Sequence, residues 1–375
     1  MEINELIHSA GFLCKEKLWE YRWFYYLRNM THFHYYNKQE LLELTKVRRY
    51  ETKMGEKLGV LQNGIDSLHE HPNAKYVLFG IPECIGILGD HGTKGAEATW
   101  FHFVQSFLNL QSTDQCTGDE IILAGYFDFN SVMDIIEKNF MNFDERINAC
   151  RHAVANIIDE EVETMVKAIV QAGKIPIVVG GGHNNAYPII KATAKSLYKM
   201  EKTKRAMINS MNLASTADFR IMEGRHSGNA FRYAMEEGYL NRYAVIGLQE
   251  NSNPQSMMDD LYSNISIQYH TYEEIFVEER LNFIQSIAQS YSFIDNDPIA
   301  LELDLNVVGN INSSNKNPSG ISVNDARQYI RFSGNYPNIS SLHICEGASS
   351  HMHGDSQSLS RLISYLVTDF VRSRS

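Results

Sequence analysis

A chain of 375 residues with 43% hydrophobic content is long enough for one large α/β domain, or two smaller ones, with a full core. Its net charge of −11 is spread over many positions without a basic face for phosphate contacts, which excludes nucleic acid as an expected partner. No apolar run approaches the roughly 18 residues of a membrane span, and Met1-Glu2-Ile3-Asn4-Glu5 lacks the basic and apolar regions of a signal peptide, so a cytoplasmic protein with no membrane partner is expected.

Residues 1 to about 75 are rich in aromatics and charges, with Trp19, Tyr21, Trp23, Phe24, Tyr25 and Tyr26 crowded together and no strand-and-glycine punctuation. They read as an N-terminal helical extension (1–75) packed on a main domain (76–375). There the pattern becomes short apolar runs that end in glycine, acid or turn residues: Tyr76 to Gly80, Ile121 to Gly125, Ile175 to Gly180, Ala206 to Leu213, Tyr243 to Gly247, Ile299 to Val308 and Leu342 to Cys345. Amphipathic stretches such as Asn148 to Ala172 and Ser358 to Val371 lie between several of them. Strands alternating with helices predict a mainly parallel sheet of about eight strands covered on both faces. Gly309 to Ser322 reads as a long loop on the active edge. The cysteines, Cys14, Cys84, Cys116, Cys150 and Cys345, are widely spaced without a C-x-x-C pair, and predict reduced, mostly buried thiols, neither a disulfide framework nor a zinc site.

The run Ile175 to Val179 leads into Gly180-Gly181-Gly182-His183-Asn184, which puts a histidine at the carboxyl end of a buried strand. Ligands of open α/β sheets bind at that edge, and glycines there let the backbone approach a bound group closely. Later strand ends carry Asn212-Leu213-Ala214-Ser215-Thr216-Ala217-Asp218-Phe219-Arg220 and Asp304-Leu305-Asn306, and the last strand ends in Glu346. With Gly80-Ile81-Pro82-Glu83, His226-Ser227-Gly228-Asn229-Ala230-Phe231-Arg232 and Pro318-Ser319-Gly320-Ile321, these motifs run in order over roughly residues 45 to 370. In them the chain resembles the ureohydrolase family of arginase, agmatinase and, most closely, formimidoylglutamase. The resemblance implies an arginase-like three-layer α/β/α fold and a homo-oligomer, trimeric or hexameric. It also implies hydrolysis of non-peptide C–N bonds in linear amidines, as formimidoylglutamase-like sequences cleave N-formimidoyl-glutamate to glutamate and formamide. A small amidine or amino-acid-like molecule is therefore the expected ligand.

In that family two manganese ions activate a bridging water. Carried over residue by residue, His183, Asp218 and Asp304 remain as ligands of the first ion. Ala214 stands where a bridging carboxylate is expected, Thr216 in place of an imidazole and Asn306 in place of a carboxylate, so the second ion keeps only Asp304. Two close dications need shared carboxylates to offset their repulsion. The expectation is thus no metal or a single manganese ion, and not a dinuclear centre.

Three readings stay open. The chain is a ureohydrolase-fold protein with weak or no hydrolysis and a binding or regulatory role, or an active C–N hydrolase using one ion or replacement ligands, or other groups complete the site. Glu302, on the same strand face as Asp304 and Asn306, is the candidate replacement ligand. Glu346 occupies the family's substrate-side glutamate position, and His226 is a candidate proton shuttle if it titrates near neutrality. Arg220 reads as an ion-pairing tie between strands. His351-Met352-His353-Gly354-Asp355 reads as a solvated loop despite its metal-like composition, and the aromatic crowd at 19 to 26 as packing or a subunit interface.

Overall fold

Apolar runs buried on both faces form the centre of one twisted sheet, because such residues pack only where helices cover both sides. The computed structural model describes residues 32–140, 142–349 and 356–374. Within them lie the strands β1 (Phe33–Tyr35), β2 (Tyr76–Gly80), β3 (Ile121–Phe127), β4 (Ile175–Val179), β5 (Ile208–Leu213), β6 (Leu240–Leu248), β7 (Ile267–Thr271), β8 (Ile299–Asp304) and β9 (Ile339–Cys345). Their order in the sheet is β1-β3-β2-β4-β9-β8-β5-β6-β7. All neighbours pair in parallel except β1, which is antiparallel to β3.

Alternate side chains of each strand enter two different cores. Val77, Phe79, Val178 and Val245 pack with helices α1 (Asp159–Gln171) and α2 (Ala186–Lys199). Leu78, Ile177, Leu303 and Ile344 pack on the other face with Trp100, with Tyr329 of α3 (Val323–Gly334) and with Phe370 of α4 (Ser356–Ser373). This is the three-layer α/β/α architecture expected from the alternation of runs. The stretch Asn148 to Ala172 is helical apart from its last residue, through a π turn at Val154–Ile158. Among the described residues no helix is long and apolar enough to cross a membrane, and Cys84, Cys116, Cys150 and Cys345 are free and buried.

The sheet has nine strands where about eight were predicted, and the seven named runs account for all but the two edge strands. β1 lies in the segment read as helical; its Phe33 packs edge-on against Phe127 at 4.8 Å, a contact that exists only once β3 is in place. β7 is half-exposed and lacks a terminal glycine, so it left no buried-run signal. Short helices at Lys38–Leu44 and Met54–Lys57 make up part of the remaining N-terminal segment. The aromatic crowd at 19 to 26 and the His351 to Asp355 loop lie outside the described residues.

The sheet order decides where a site can form. β8 and β9 insert between β4 and β5, so chains leaving the carboxyl ends of β4 and β5 part and leave a crevice over the four central strands. β2, beside β4, ends in Gly80, where an added Cβ would lie 2.2 Å from the Trp100 indole. Gly80→Ala should therefore lower stability by about 1–3 kcal/mol through overpacking, read as a lower urea midpoint. An unchanged midpoint would contradict this packing.

Candidate functional site

The four central strands deliver four side chains to the crevice: His183 after β4, Glu346 after β9, Asp304 at the end of β8 and Asp218 beyond β5. The loop after β4 is held by Glu83, a buried carboxylate in the loop after β2. Glu83 accepts N–H groups from Gly182 at 3.0 Å, Gly86 at 3.0 Å, Asn185 Nδ2 at 2.8 Å and Asn184 Nδ2 at 3.3 Å. Gly181 adopts φ 75°, and a Cβ there would meet Ile81 O at 2.6 Å and Glu83 Oε1 at 2.9 Å. Glycine is required at this close approach. The loop so fixed points the His183 N–H at Glu346 Oε1, 2.9 Å away.

His183 Nδ1 lies 2.6 Å from Asp218 Oδ2, and the ring stands edge-on to Phe231 at 5.0 Å. One ligand atom each from His183, Asp218 and Asp304 lies within 4.8 Å of the others, and all three residues are buried. That meets the reach of a single ion, whose bonds to nitrogen and oxygen are roughly 2.0–2.2 Å. Asp218 and Glu346 both take positive φ, 47° and 62°. Such conformations are uncommon outside glycine and are held only where the surroundings impose them.

Two of the positions read from sequence as altered ligands, Thr216 and Asn306, hydrogen-bond the carboxylates. Thr216 Oγ1 donates to Asp218 Oδ1 at 2.9 Å, and the Asn306 backbone N–H donates to Asp304 Oδ1 at 2.8 Å. The Asn306 amide donates to Glu346 Oε2 at 3.4 Å, and Ser314, from the Gly309 to Ser322 loop, donates to the same oxygen. Ala214 is fully buried and supplies only a methyl group. Above these groups opens a cleft of about 350 Å³.

The electrostatics are those of crowded acids. Burial, reinforced by Glu346, holds Asp304 well above the ordinary carboxylate range. Burial also pushes Glu346 up to about 7, against hydrogen bonds from Ser314 and the His183 N–H that favour its charged form. Burial alone would lower His183, but Cys345, Asp218 and Glu302 around it outweigh that and raise it well above its ordinary value. Asp90, across the cleft, is pushed by burial up to about 6.

Of the other candidates, Glu302 and His226 sit differently from their sequence readings. Glu302 does not face the cleft: its Oε2 meets His343 Nδ1 at 2.7 Å and stands 3.6 Å from His183 Nε2, on the far side of that ring. His226 is buried, its Nδ1 accepts the Gly228 N–H at 3.2 Å, and burial, with Arg151 and Arg225 nearby, lowers it to about 3. The near-neutral titration a proton shuttle needs is not what these surroundings produce. Arg220 pairs with Asp90 of the segment after β2. It is 43% exposed on the cleft wall, Nε 3.6 Å from Asp90 Oδ1, and is the one fixed positive charge among the described lining residues. Sequence reasoning assigned no role to Glu83 or Ser314; the signal for Glu83 was a carboxylate directly after a buried strand and a proline.

Glu83→Ala should destabilise the fold by at least about 3 kcal/mol, since hydrogen bonds to a charged group contribute roughly 1.5–3 kcal/mol each and four donors would lose theirs. Urea unfolding measures it, and a loss under about 1 kcal/mol would mean that the loop does not depend on this carboxylate. Asp90 supplies a pH test. Its folded pKa, about 6, exceeds the ordinary value of 3.8, so its contribution is fully present below the unfolded value and is lost as pH rises through about 6. Asp90→Asn should match the parent near pH 4 and exceed it near pH 8 by up to about 3 kcal/mol. A pH-independent difference would contradict that origin.

A profile of the arginase family matches residues 121–370. The formimidoylglutamase of Rhodococcus jostii is 26% identical over 166 residues, 43% of this chain and 48% of that protein. That of Macrococcus caseolyticus is 25% identical over 227 residues, 60% of this chain and 63% of that protein. The chain thus spans about half to just under two thirds of these relatives. The crystal structure of Trypanosoma cruzi formiminoglutamase with Mn2+2 superposes with a TM-score of 0.65 at 16% identity, covering 86% of this chain and 98% of that one. Formimidoylglutamase from Bacillus subtilis superposes with a TM-score of 0.67 at 16% identity, covering 87% and 93%. At such identity these structures speak for the fold alone. The profile match over two thirds of the sequence and the shared fold agree with the motifs at the strand ends, and the chain belongs to the arginase family.

Proposed function

We propose that the chain binds one manganese ion on His183, Asp218 and Asp304 and holds a small carboxylate-bearing amidine, of the N-formimidoyl-glutamate kind, in the cleft above it, with weak or no hydrolysis. The observation that carries this reading is the convergence of those three ligand atoms within 4.8 Å. Ala214, Thr216 and Asn306 add no anion or imidazole for a second ion. The raised Asp304 and Glu346 fit the same reading, because crowded buried carboxylates favour a bound cation. A bound divalent ion would polarise an imine or lower the pKa of a water. For the ligand, Glu346 and Asp218 suit an amidinium group, and Arg220 is the available partner for a carboxylate. The family likeness also supports a homo-oligomer.

A second reading, hydrolysis with a single ion, is favoured by Glu346. A carboxyl group with a pKa of about 7 can hold or release a proton near neutrality.

Calorimetry with manganese should find about one ion per chain, and Asp304→Asn should abolish that binding. Hydrolysis of N-formimidoyl-glutamate should be very slow, and turnover typical of enzymes, roughly 1 s⁻¹ or more, would select the second reading. The combined change Ala214→Asp, Thr216→His and Asn306→Asp should recover a second ion, whereas each alone should do little, because the ligands act as a unit. Two tightly held ions in the unaltered chain would overturn the single-ion reading.

A further inference from the structure

On the side of His183 away from the cleft, β8 and β9 enclose another set of donors. In the parallel register Glu302 lies beside His343 and Asp304 beside Cys345. Glu302, His343 and Cys345 are fully buried and His183 is 1% exposed. One ligand atom each from His183, His343 and Cys345 lies within 4.8 Å of the others. In the same cluster His183 Nε2, His343 Nε2 and Glu302 Oε1 have no hydrogen-bond partner, and Cys345 Sγ has a weak 3.7 Å contact with Leu303 O. Each unsatisfied buried polar atom costs roughly 1–3 kcal/mol, so three in one cluster call for a partner.

The hydrogen bonds present say what that partner is. Glu302 Oε2 meets His343 Nδ1 at 2.7 Å, which places the proton on Nδ1 and leaves the Nε2 lone pair free. A carboxylate that orients a histidine in this way is the usual support of a metal ligand. Asp218 meets His183 Nδ1 at 2.6 Å; the acids and the thiol around this ring favour its protonated form, so a cation taking its Nε2 displaces a proton there. Two imidazoles and a thiol suit a borderline-soft cation and do not suit manganese, which prefers oxygen.

We propose that His183, His343 and Cys345 form a buried zinc site, bound through the two Nε2 atoms and Sγ, with Glu302 orienting His343 through its Nδ1. Binding replaces the Cys345 S–H bond by a zinc–sulfur bond and the His183 Nε2–H bond by a zinc–nitrogen bond, and both protons go to solvent. The thiolate and the Glu302 carboxylate then balance the dication, so no net charge is buried. Because the cluster is enclosed, the ion enters as the chain folds and ties β4, β8 and β9 together behind the cleft. Zinc on Nε2 leaves a proton on Nδ1, so the zinc-loaded chain should bind manganese in the cleft more weakly.

The test is to refold the full chain with zinc chloride, or with cobalt(II) as a spectroscopic substitute, and to remove loose metal by dialysis. About one zinc per chain should remain, with an X-ray absorption spectrum showing a sulfur ligand near roughly 2.3 Å and nitrogen or oxygen ligands near roughly 2.0–2.2 Å. The cobalt form should show a thiolate-to-metal charge-transfer band. Cys345→Ser should lose the sulfur shell and at least about tenfold in zinc affinity, the size expected for losing a ligand or its support, and His343→Asn should lose a similar factor. Asp304→Asn, which removes a cleft carboxylate and no proposed zinc ligand, should keep the zinc and its sulfur, which separates this site from the proposed manganese site. No retained zinc in the unaltered chain, a zinc spectrum without sulfur, or a sulfur shell that survives Cys345→Ser would overturn the proposal. The first two results need no variant to fold.

Discussion

The Glu83 carboxylate is buried between the loops after β2 and β4, and the placement of His183 depends on how its charge is satisfied. An ionised carboxylate out of water is tolerated only when donors surround it, and the donors here belong to the loops it joins: the N–H groups of Gly182 and Gly86 and the amides of Asn184 and Asn185. Gly181 lacks the Cβ that would collide with Glu83 and with the backbone of Ile81. The loop can therefore approach its neighbour closely, and His183, two residues on, has its N–H on Glu346. A local electrostatic requirement thus becomes the orientation of a ring two residues further along the chain.

Around that ring the sheet order does the rest. Because β9 and β8 lie between β4 and β5, residues far apart in sequence, at 183, 218, 304 and 346, reach one crevice from four adjacent strands. The gathering carries an electrostatic cost, visible in the raised Asp304 and Glu346, and the positive φ of Asp218 and Glu346 adds backbone strain. Thr216, Asn306 and Ser314 reduce that cost by hydrogen-bonding the carboxylates. Neutral donors thus carry part of the task of offsetting the crowded negative charge.

His183 faces two environments. Its Nδ1 meets the acids at the crevice, and its Nε2 looks into the interior toward Glu302, His343 and Cys345. Only one nitrogen of a neutral imidazole carries the proton, so whatever engages one side sets the state of the other. The interior cluster and the cleft are therefore coupled through one ring, without any movement of the backbone.

Much of the central sheet was legible in the chain, because a strand buried on both faces must be apolar throughout and must end where glycine or an acid stops it. The same punctuation marked His183, Asp304 and Glu346 as strand-end residues, and motif order brought Asp218 to join them. The edge strands β1 and β7 were not legible, since their few half-exposed residues gain stability only from a neighbour already in place. Period-two alternation put Glu302 on the face of Asp304, which is correct, yet two residues along a strand is about 6.8 Å. That distance takes Glu302 from the crevice to the layer beneath it, beside His343. The spacing of the cysteines gave no hint of the proposed metal site because its other donors follow β4 or sit elsewhere on β9, and the composition around His226 could not reveal how completely its ring is buried. Sequence alone therefore determined which residues end the strands and which face each side chain takes; the tertiary structure decided how deep each lies and what lies opposite, because depth and partner come from the register between strands that are remote in the chain.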